Sequence, residues 1–528
     1  MPNFPEQSYN SILNNLNITK QMVENKIKKL KVNKSPGPDK IHPRVLHETA
    51  STISTPLCLL FRNSLFLKQL PEEWKHANVT AIFKKGNKNL PQNYRPVSLT
   101  SIVCKLMESI LRDAIVKHMK LNGLFSPQQF GFIEGKSTTL QLLSVLDIWT
   151  EILDQGGSLD AVYCDFMKAF DKVPHNRLMH KIDRYGIKGN VYEWIKSFLS
   201  NRKQWVKVND CKSSTAPVTS GIPQGSVLGP ILFVIYINDL PSVVNPESHV
   251  YLFADDTKIF RHIKSTEDHK QLQNDLDNLV KWSNIWLLKF HPDKCITINV
   301  GKNNPNYKYF MEGTCLKRSE AEKDIGIFVD ENLNFDKHIN YIVKKANRVL
   351  GITKRTFEHI NAETFVYIYK GLVRPNLEYA SSVWSPHSIK HKKLIESVQK
   401  RATKIVPGLS KLAYSDRLKT LNLPTLAYRR VRGDMILVHK ILNNEDNPCP
   451  NLFNFNNNNL RGHNRKLFLP NCNRDLRKYY FSNRIIQLWN SLPNDVVNSK
   501  DTLSFEKSLD HLWKDQELKY EDYKSYIK

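Results

Sequence analysis

Apolar and polar positions alternate through HVYLFADDTKIFR, residues 249–261, on both sides of the pair Asp255 and Asp256. A period of two is the pattern of β-strands, and two such runs meeting at a short polar break predict a hairpin with both carboxylates at its turn. A second β-branched and aromatic run, LDAVYCD, ends on Asp165 and reads as another strand. Elsewhere the period is helical. Leu, Ile and Met recur at three- and four-residue steps over 101–121 and 136–155, each run closed by glycine. Further helices are expected from Pro56 to Leu70 and near 176–185, and Ser265 with Asp268 forms a capping box opening a helix to about Leu287. Val79–Thr100 reads as a strand, a basic turn and a second extended piece. Gln204–Val208 and Ala216–Thr219 read as a hairpin leading into the loop SGIPQGSVLGP and a buried helix. Short strands are expected near 295–300 and 324–329, then three helical stretches from Asp336 to about Ile405.

Punctuation divides the chain further. Pro36, Gly37 and Pro38 force an extended turn after a basic helical start, the Asn-rich run 443–459 reads as a linker, and a small module with Trp489 and Trp513 as core anchors follows from Leu460. No internal repeat is visible. A length of 528 residues allows about two to four domains.

Charge changes the picture most. Lys and Arg number 77 against 51 Asp and Glu, a formal net charge of +26, and such an excess favours an anionic partner, nucleic acid first. A hydrophobic content of 41% with 10% aromatics excludes a disordered basic tail. The eight cysteines are scattered without a CxxC, which argues against a disulfide framework and a zinc knuckle; Cys449, His463 and Cys472 fit no zinc spacing. Neither a signal peptide nor an apolar run of about 18 residues is present, so no membrane association is expected.

Three carboxylates at strand ends, with no Cys or His set beside them, suit hard cations such as magnesium, and a pair of such ions is what phosphoryl transfer requires. An Asp-Asp pair alone is commonplace in turns. The apolar approach on both sides is what singles this one out. Gly221, Gly225 and Gly229 would let backbone approach a ligand, while Pro223 and Pro230 stiffen the loop. Lys84, Lys85 and Arg95 cluster on the basic turn; Lys344, Lys345, Arg348, Lys392, Lys393, Lys400 and Arg401 lie on later helices and would favour a phosphate backbone.

In order, the segments KSPGPDKI, NYRPVSLT, QQFGF, DFMKAFDKVPH, GIPQGSVLGPILF, YLFADD, LKFHPDK and DIGIFVDENLNFDKHI span about residues 31–340. In that order they resemble the reverse transcriptases of non-LTR (LINE-type) retrotransposons, with the jockey-like group the nearest. The resemblance implies an α+β right-hand polymerase, with fingers, a palm carrying an antiparallel sheet, a helical thumb and a small C-terminal module. Its expected divisions are an N-terminal extension at 1–55, fingers and palm at 56–330, the thumb at 331–442, the linker at 443–459 and the module at 460–528. It also implies roles by position. Asp165, Asp255 and Asp256 match the metal-binding acids, with the carbonyl of Phe166 completing a shell for two magnesium ions, or manganese in their place. Phe170 matches the side chain that excludes a 2′-hydroxyl, Gln224 and Gly225 the nucleotide-contacting loop, and Lys85 (or Lys84) and Arg95 the triphosphate grip. Lys294 matches a general acid for pyrophosphate, with Lys289 close by. Gly221 and Pro223 would lie along template and primer, and Asp324–Val329, through Gly326 and Ile327, would grip the primer.

The partners so implied are an RNA template, a DNA primer or target DNA and deoxynucleoside triphosphates, in the nucleus and cytoplasm of a eukaryotic cell. The family's endonuclease has no room ahead of residue 31, so an endonuclease domain or protein outside the chain is expected. Two rivals share the acids: a catalytically inactive RNA-binding derivative, and an RNA-dependent RNA polymerase, which would not need Phe170.

Overall fold

The computed structural model describes residues 1–209, 211–357, 359–444, 447–456 and 462–521. In chain order the strands are β1 His76–Phe83, β2 Tyr94–Leu99, β3 Ser158–Cys164, β4 Arg202–Val208, β5 Cys211–Lys212, β6 Ala216–Val218, β7 His249–Phe253, β8 Asp256–Ile263 and β9 Ile296–Val300. Three short strands, β10 Phe310–Met311, β11 Thr314–Cys315 and β12 Lys317–Arg318, are followed by a hairpin of β13 Ala321–Asp324 and β14 Ile327–Asp330. The central sheet runs β12-β9-β3-β8-β7, antiparallel except for the β12 and β9 pair. A second sheet runs β2-β1-β4-β5 with β6 on β4, and its β1 and β4 are parallel. Helices outnumber strands, giving a mixed α and β fold.

Two hydrophobic cores clasp the central sheet. On β3, Val162 and Cys164 face one core, together with the helices Ile102–Leu121, Gly229–Ile237 and Thr266–Trp286. Leu159 and Ala161 face the other, with the helix Thr138–Asp154 and the helices that begin at Asp336. Burial on both faces explains why β3 reads as a nearly continuous apolar run. Asp160, fully buried among it, is satisfied by Asn299 and Asn304 amides at 2.6 and 2.7 Å and the Tyr309 hydroxyl at 2.6 Å.

Several boundaries differ from expectation. The first long helix spans Ala50–Phe66, with Pro56 inside it and exposed to solvent, instead of opening at Pro56. The stretch 324–329 is not one strand, because Ile325 and Gly326 take positive φ angles of 43° and 95° and turn the chain back on itself. Of the expected linker, residues 445, 446 and 457–459 lie outside the described residues, as do 460, 461 and 522–528 of the terminal module. The described remainder packs tightly: Cys449 lies 2.9 Å from the Ser144 hydroxyl, and Leu452 and Phe453 are buried. Trp489 and Trp513 are buried as expected, but in the same core as the helix Thr138–Asp154. All eight cysteines are free thiols. Among the described residues no helix is long and apolar enough to cross a membrane.

The terminal segment is tied down by charge as well as by apolar packing. Arg477 donates to Asp147 at 2.6 Å, the Ser482 hydroxyl donates to the same carboxylate at 2.5 Å, and Tyr480 donates to the Leu143 carbonyl at 2.7 Å. Removing one partner of a buried ion pair strands the other charge away from water. Asp147→Ala is therefore expected to destabilise the chain by about 3 kcal/mol, measured by denaturant unfolding; a change within about 0.5 kcal/mol, the usual range for a surface site, would contradict this packing.

Candidate active site

The three acids meet at one end of the central sheet. Asp256 opens β8, where Phe253 pairs with it across the hairpin, so the two turn residues are Ala254 and Asp255. The turn thus sits one residue earlier than the sequence pattern suggested. Ala254 takes a φ of 56°, the left-handed geometry that hairpin turns with two central residues require at their first position. Asp165 directly follows Cys164, whose partner on β8 is Thr257, which sets Asp165 beside Asp256. Phe166 bridges Phe290, and the flanking bonds, Met167 to Lys289 and His291 to Asp165, carry that pairing. The peptide groups of Phe166 itself therefore point to the opposite edge, where the β7–β8 hairpin lies.

Electrostatics reports the same gathering. Burial raises the Asp255 carboxyl above the usual range, the charge of Asp165 pushes the same way, and Arg95 and Lys84 oppose it. Asp256 is open to the cleft yet walled by protein; that desolvation, then Asp255, Asp324 and Asp165, raises it to about 6 against the pull of Lys258. Lys294 stands 3.4 Å from Asp165, both side chains largely in solvent. Lys289 turns away to Asn284 and Glu312. On the basic turn, Lys84 acts on Asp255. Lys84, Lys85 and Arg95 are all exposed.

The Gly-Pro loop lies beside these acids. Phe170 stacks on Phe233 with ring centroids 4.4 Å apart, and its carbonyl accepts the Ile222 N–H at 2.7 Å. The Gly221 N–H donates to Val173, and the Gln224 carbonyl accepts the Ser98 N–H of β2 at 2.7 Å. Gln224 also donates through its side chain to Asp171 at 2.9 Å. A cavity of about 410 Å³ is lined there by Pro96, Ser98, Lys168, Asp171, Pro223 and Gln224, among others. Pro223 is half-buried and Gly225 exposed. Further off, Gly326 is exposed at the β13–β14 turn, whereas Ile327 is wholly buried and offers a ligand only its backbone.

Four supports were missed from the sequence. Gln129, fully buried, accepts the Ala254 N–H at 3.0 Å and the Gly131 N–H at 2.7 Å on one amide oxygen. A Cβ at Gly131 would lie 2.3 Å from the Ala254 nitrogen, so QQFGF is the cradle of the acid-bearing turn. Asp171 holds Gln224. Lys258, on β8, pairs with buried Asp324, which also accepts from the Tyr163 hydroxyl at 3.3 Å. A lysine inside the apolar run TKIF was the available signal for this last pair.

All-oxygen donors gathered with their negative charges together suit a hard divalent cation, which would relieve the repulsion. Among the described residues no three His, Cys, Asp or Glu side chains close into a coordination shell. Cys449, His463 and Cys472 each have separate partners in Ser144, Trp489 and Pro470.

Residues 82–352 match the family described as reverse transcriptase (RNA-dependent DNA polymerase), and the chain belongs to that family. Within it, the chain is similar to the RNA-directed DNA polymerase from mobile element jockey of Drosophila melanogaster, 28% identical over 405 residues, covering 74% of this chain and 44% of that protein. It is also similar to the probable RNA-directed DNA polymerase from transposon X-element of the same species, at 27% over 393 residues, 71% and 42%. The Pol polyprotein from type-1 retrotransposable element R1 of Bradysia coprophila is 26% identical over 378 residues, 69% and 36%. The chain spans less than half the length of these curated relatives.

Asp256 keeps its proton to about pH 6 in the folded chain but only to about pH 4 when unfolded. Its contribution to stability is therefore full below about pH 4, is lost as pH rises to about 6, and opposes folding above that. Asp256→Asn should raise the melting temperature in EDTA by about 1–2 °C near neutral pH and leave it unchanged near pH 4. Equal melting curves at neutral pH would contradict the crowding of these acids.

Proposed function

We propose that the chain is an RNA-directed DNA polymerase of a non-LTR retrotransposon, extending a DNA 3′-hydroxyl on an RNA template. The observation that carries it is the meeting of Asp165, Asp255 and Asp256 at one sheet end, opposite Arg95 and Lys84 and beside the loop of Gln224. In this reading the central sheet is the palm, the second sheet belongs to the fingers, and the helices from Asp336 form the thumb. The segment after residue 443 then braces the thumb against the palm helix Thr138–Asp154.

Asp165, Asp255, Asp256 and the Phe166 carbonyl would hold a pair of divalent ions, magnesium or manganese. Such a pair, when bound, lowers the pKa of the primer hydroxyl and neutralises charge on the leaving phosphate oxygens. Arg95 and one of Lys85 and Lys84 draw the triphosphate into the cleft, Arg95 by forking onto two oxygens and the lysine as a point charge. Lys294, held at Asp165, can pass its Nζ proton to the departing pyrophosphate. Phe170, braced on Phe233, presents its ring as a floor for the sugar. Gln224, fixed by Asp171 and by β2, presents its loop to the base pair. A hybrid near A-form would be held mainly through its phosphates, so affinity falls steeply with salt and depends little on sequence.

Primer extension on an RNA template with magnesium and deoxynucleotides tests the reading. Asp255→Asn should abolish extension while still binding the hybrid; a folded wild type that binds the hybrid without extending it would point to an RNA-binding derivative instead. Phe170→Val should raise ribonucleotide incorporation relative to deoxynucleotide by about 10- to 100-fold, since removing a wall of a pocket is worth that much discrimination. Unchanged selectivity would remove Phe170 from the sugar site.

A further inference from the structure

The β13–β14 turn is built in an uncommon way. Ile325, a β-branched residue, takes a φ of 43°, and Gly326 a φ of 95°. Positive φ at a β-branched residue is strained and persists only where the surroundings fix it. The surroundings here are Tyr379. Its hydroxyl donates to the Ile325 carbonyl at 2.8 Å and lies 3.1 Å from the Thr138 hydroxyl, which begins the helix Thr138–Asp154. Its ring lies so near that a Cβ at Gly326 would meet it at 3.0 Å. Tyr379 is itself held, because its carbonyl accepts the indole N–H of buried Trp384 at 2.8 Å.

The residue just before the turn is fixed to the acid-bearing strand. Asp324 pairs with Lys258, two residues along β8 from Asp256. One anchor thus ties Asp324, the last residue of β13, to the strand that carries Asp256, and the Tyr379 hydroxyl ties the adjoining turn to the start of the helix Thr138–Asp154. Directly after these anchored residues, Gly326 is exposed.

We infer that Tyr379 is a positioning residue: its hydroxyl sets the Ile325 and Gly326 turn against Thr138, and so fixes where the primer strand lies relative to Asp255 and Asp256. The inference rests on the polymerase reading above, taken together with the expectation that the stretch Asp324–Val329 grips the primer, and adds a specific residue from the later helical region to it. Tyr379 touches neither nucleotide nor primer end in this scheme. It acts through the turn.

The test is Tyr379→Phe, which keeps the ring against Gly326 and removes only the hydroxyl, with Thr138→Ser as the variant that retains the second hydroxyl. Amide exchange at residues 324–328 should quicken by about three- to tenfold in Tyr379→Phe, the value of one hydroxyl hydrogen bond. Dissociation from primer–template should quicken by a similar factor and products shorten, with KM for deoxynucleotide unchanged; Thr138→Ser should match wild type. Faster exchange with unchanged product lengths would make the hydroxyl a structural strut and overturn the inference. Shorter products without faster exchange would overturn it too, because the hydroxyl would then act elsewhere. A wild type that extends no primer would overturn the polymerase reading and this inference with it, whereas an active wild type equalled by Tyr379→Phe would overturn this inference alone.

Discussion

One amide oxygen bears the geometry of the acid cluster. Oε1 of Gln129 takes the N–H groups of Ala254 and Gly131 together, locking a left-handed turn in place while three carboxylates repel one another around it. Like charges at this spacing would otherwise relax apart, and a hairpin tip is the easiest place in a sheet for that to happen. The restraint is buried and the carboxylates face the cleft. Lys136 secures the arrangement from behind, donating to the carbonyls of Pro127 and Gln129 at 2.7 and 2.9 Å.

From that fixed point the rest of the site is assembled by strand register. Pairing of β3 with β8 puts Asp165 next to Asp256, and the bridge of Phe166 to Phe290 turns its peptide toward the hairpin. The Gly-Pro loop then closes the side, held by β2 through Ser98 and by Asp171 through Gln224. Apart from the side-chain bond of Gln224 to Asp171, these links run backbone to backbone. Long flexible side chains do little of the positioning; Arg95, Lys84 and Lys294 reach into a frame that already exists.

How legible this was depended on what kind of contact fixed each residue. Local contacts could be read: the strands around Asp255 and Asp256 follow from alternation, the strand before Asp165 from its β-branched and aromatic run, and the capping box of Ser265 and Asp268 from spacing. Long-range contacts could not. The parallel pairing of β1 with β4 and the clamp of Gln129 on Ala254 join segments far apart in the chain, and nothing in either segment alone specifies its partner. The hairpin at Ile325 was hidden for another reason, since β-branched residues signal strand and here one sits in the turn. The later region misled by composition: asparagines suggested a free linker, yet Cys449, Leu452 and Phe453 supply enough apolar surface to dock the described part of it.

The close approach of Gly131 to Ala254 has a consequence for how such sequences can drift. Neither side chain is chemically active, yet a methyl group at 131 collides with the backbone of the turn, and a β-branched residue at 254 resists its own left-handed backbone. Tolerated variation should therefore be narrow at each site separately, because no replacement at 254 makes room for a side chain at 131. A side chain at 131 would displace the acid-bearing turn while every carboxylate is still in place.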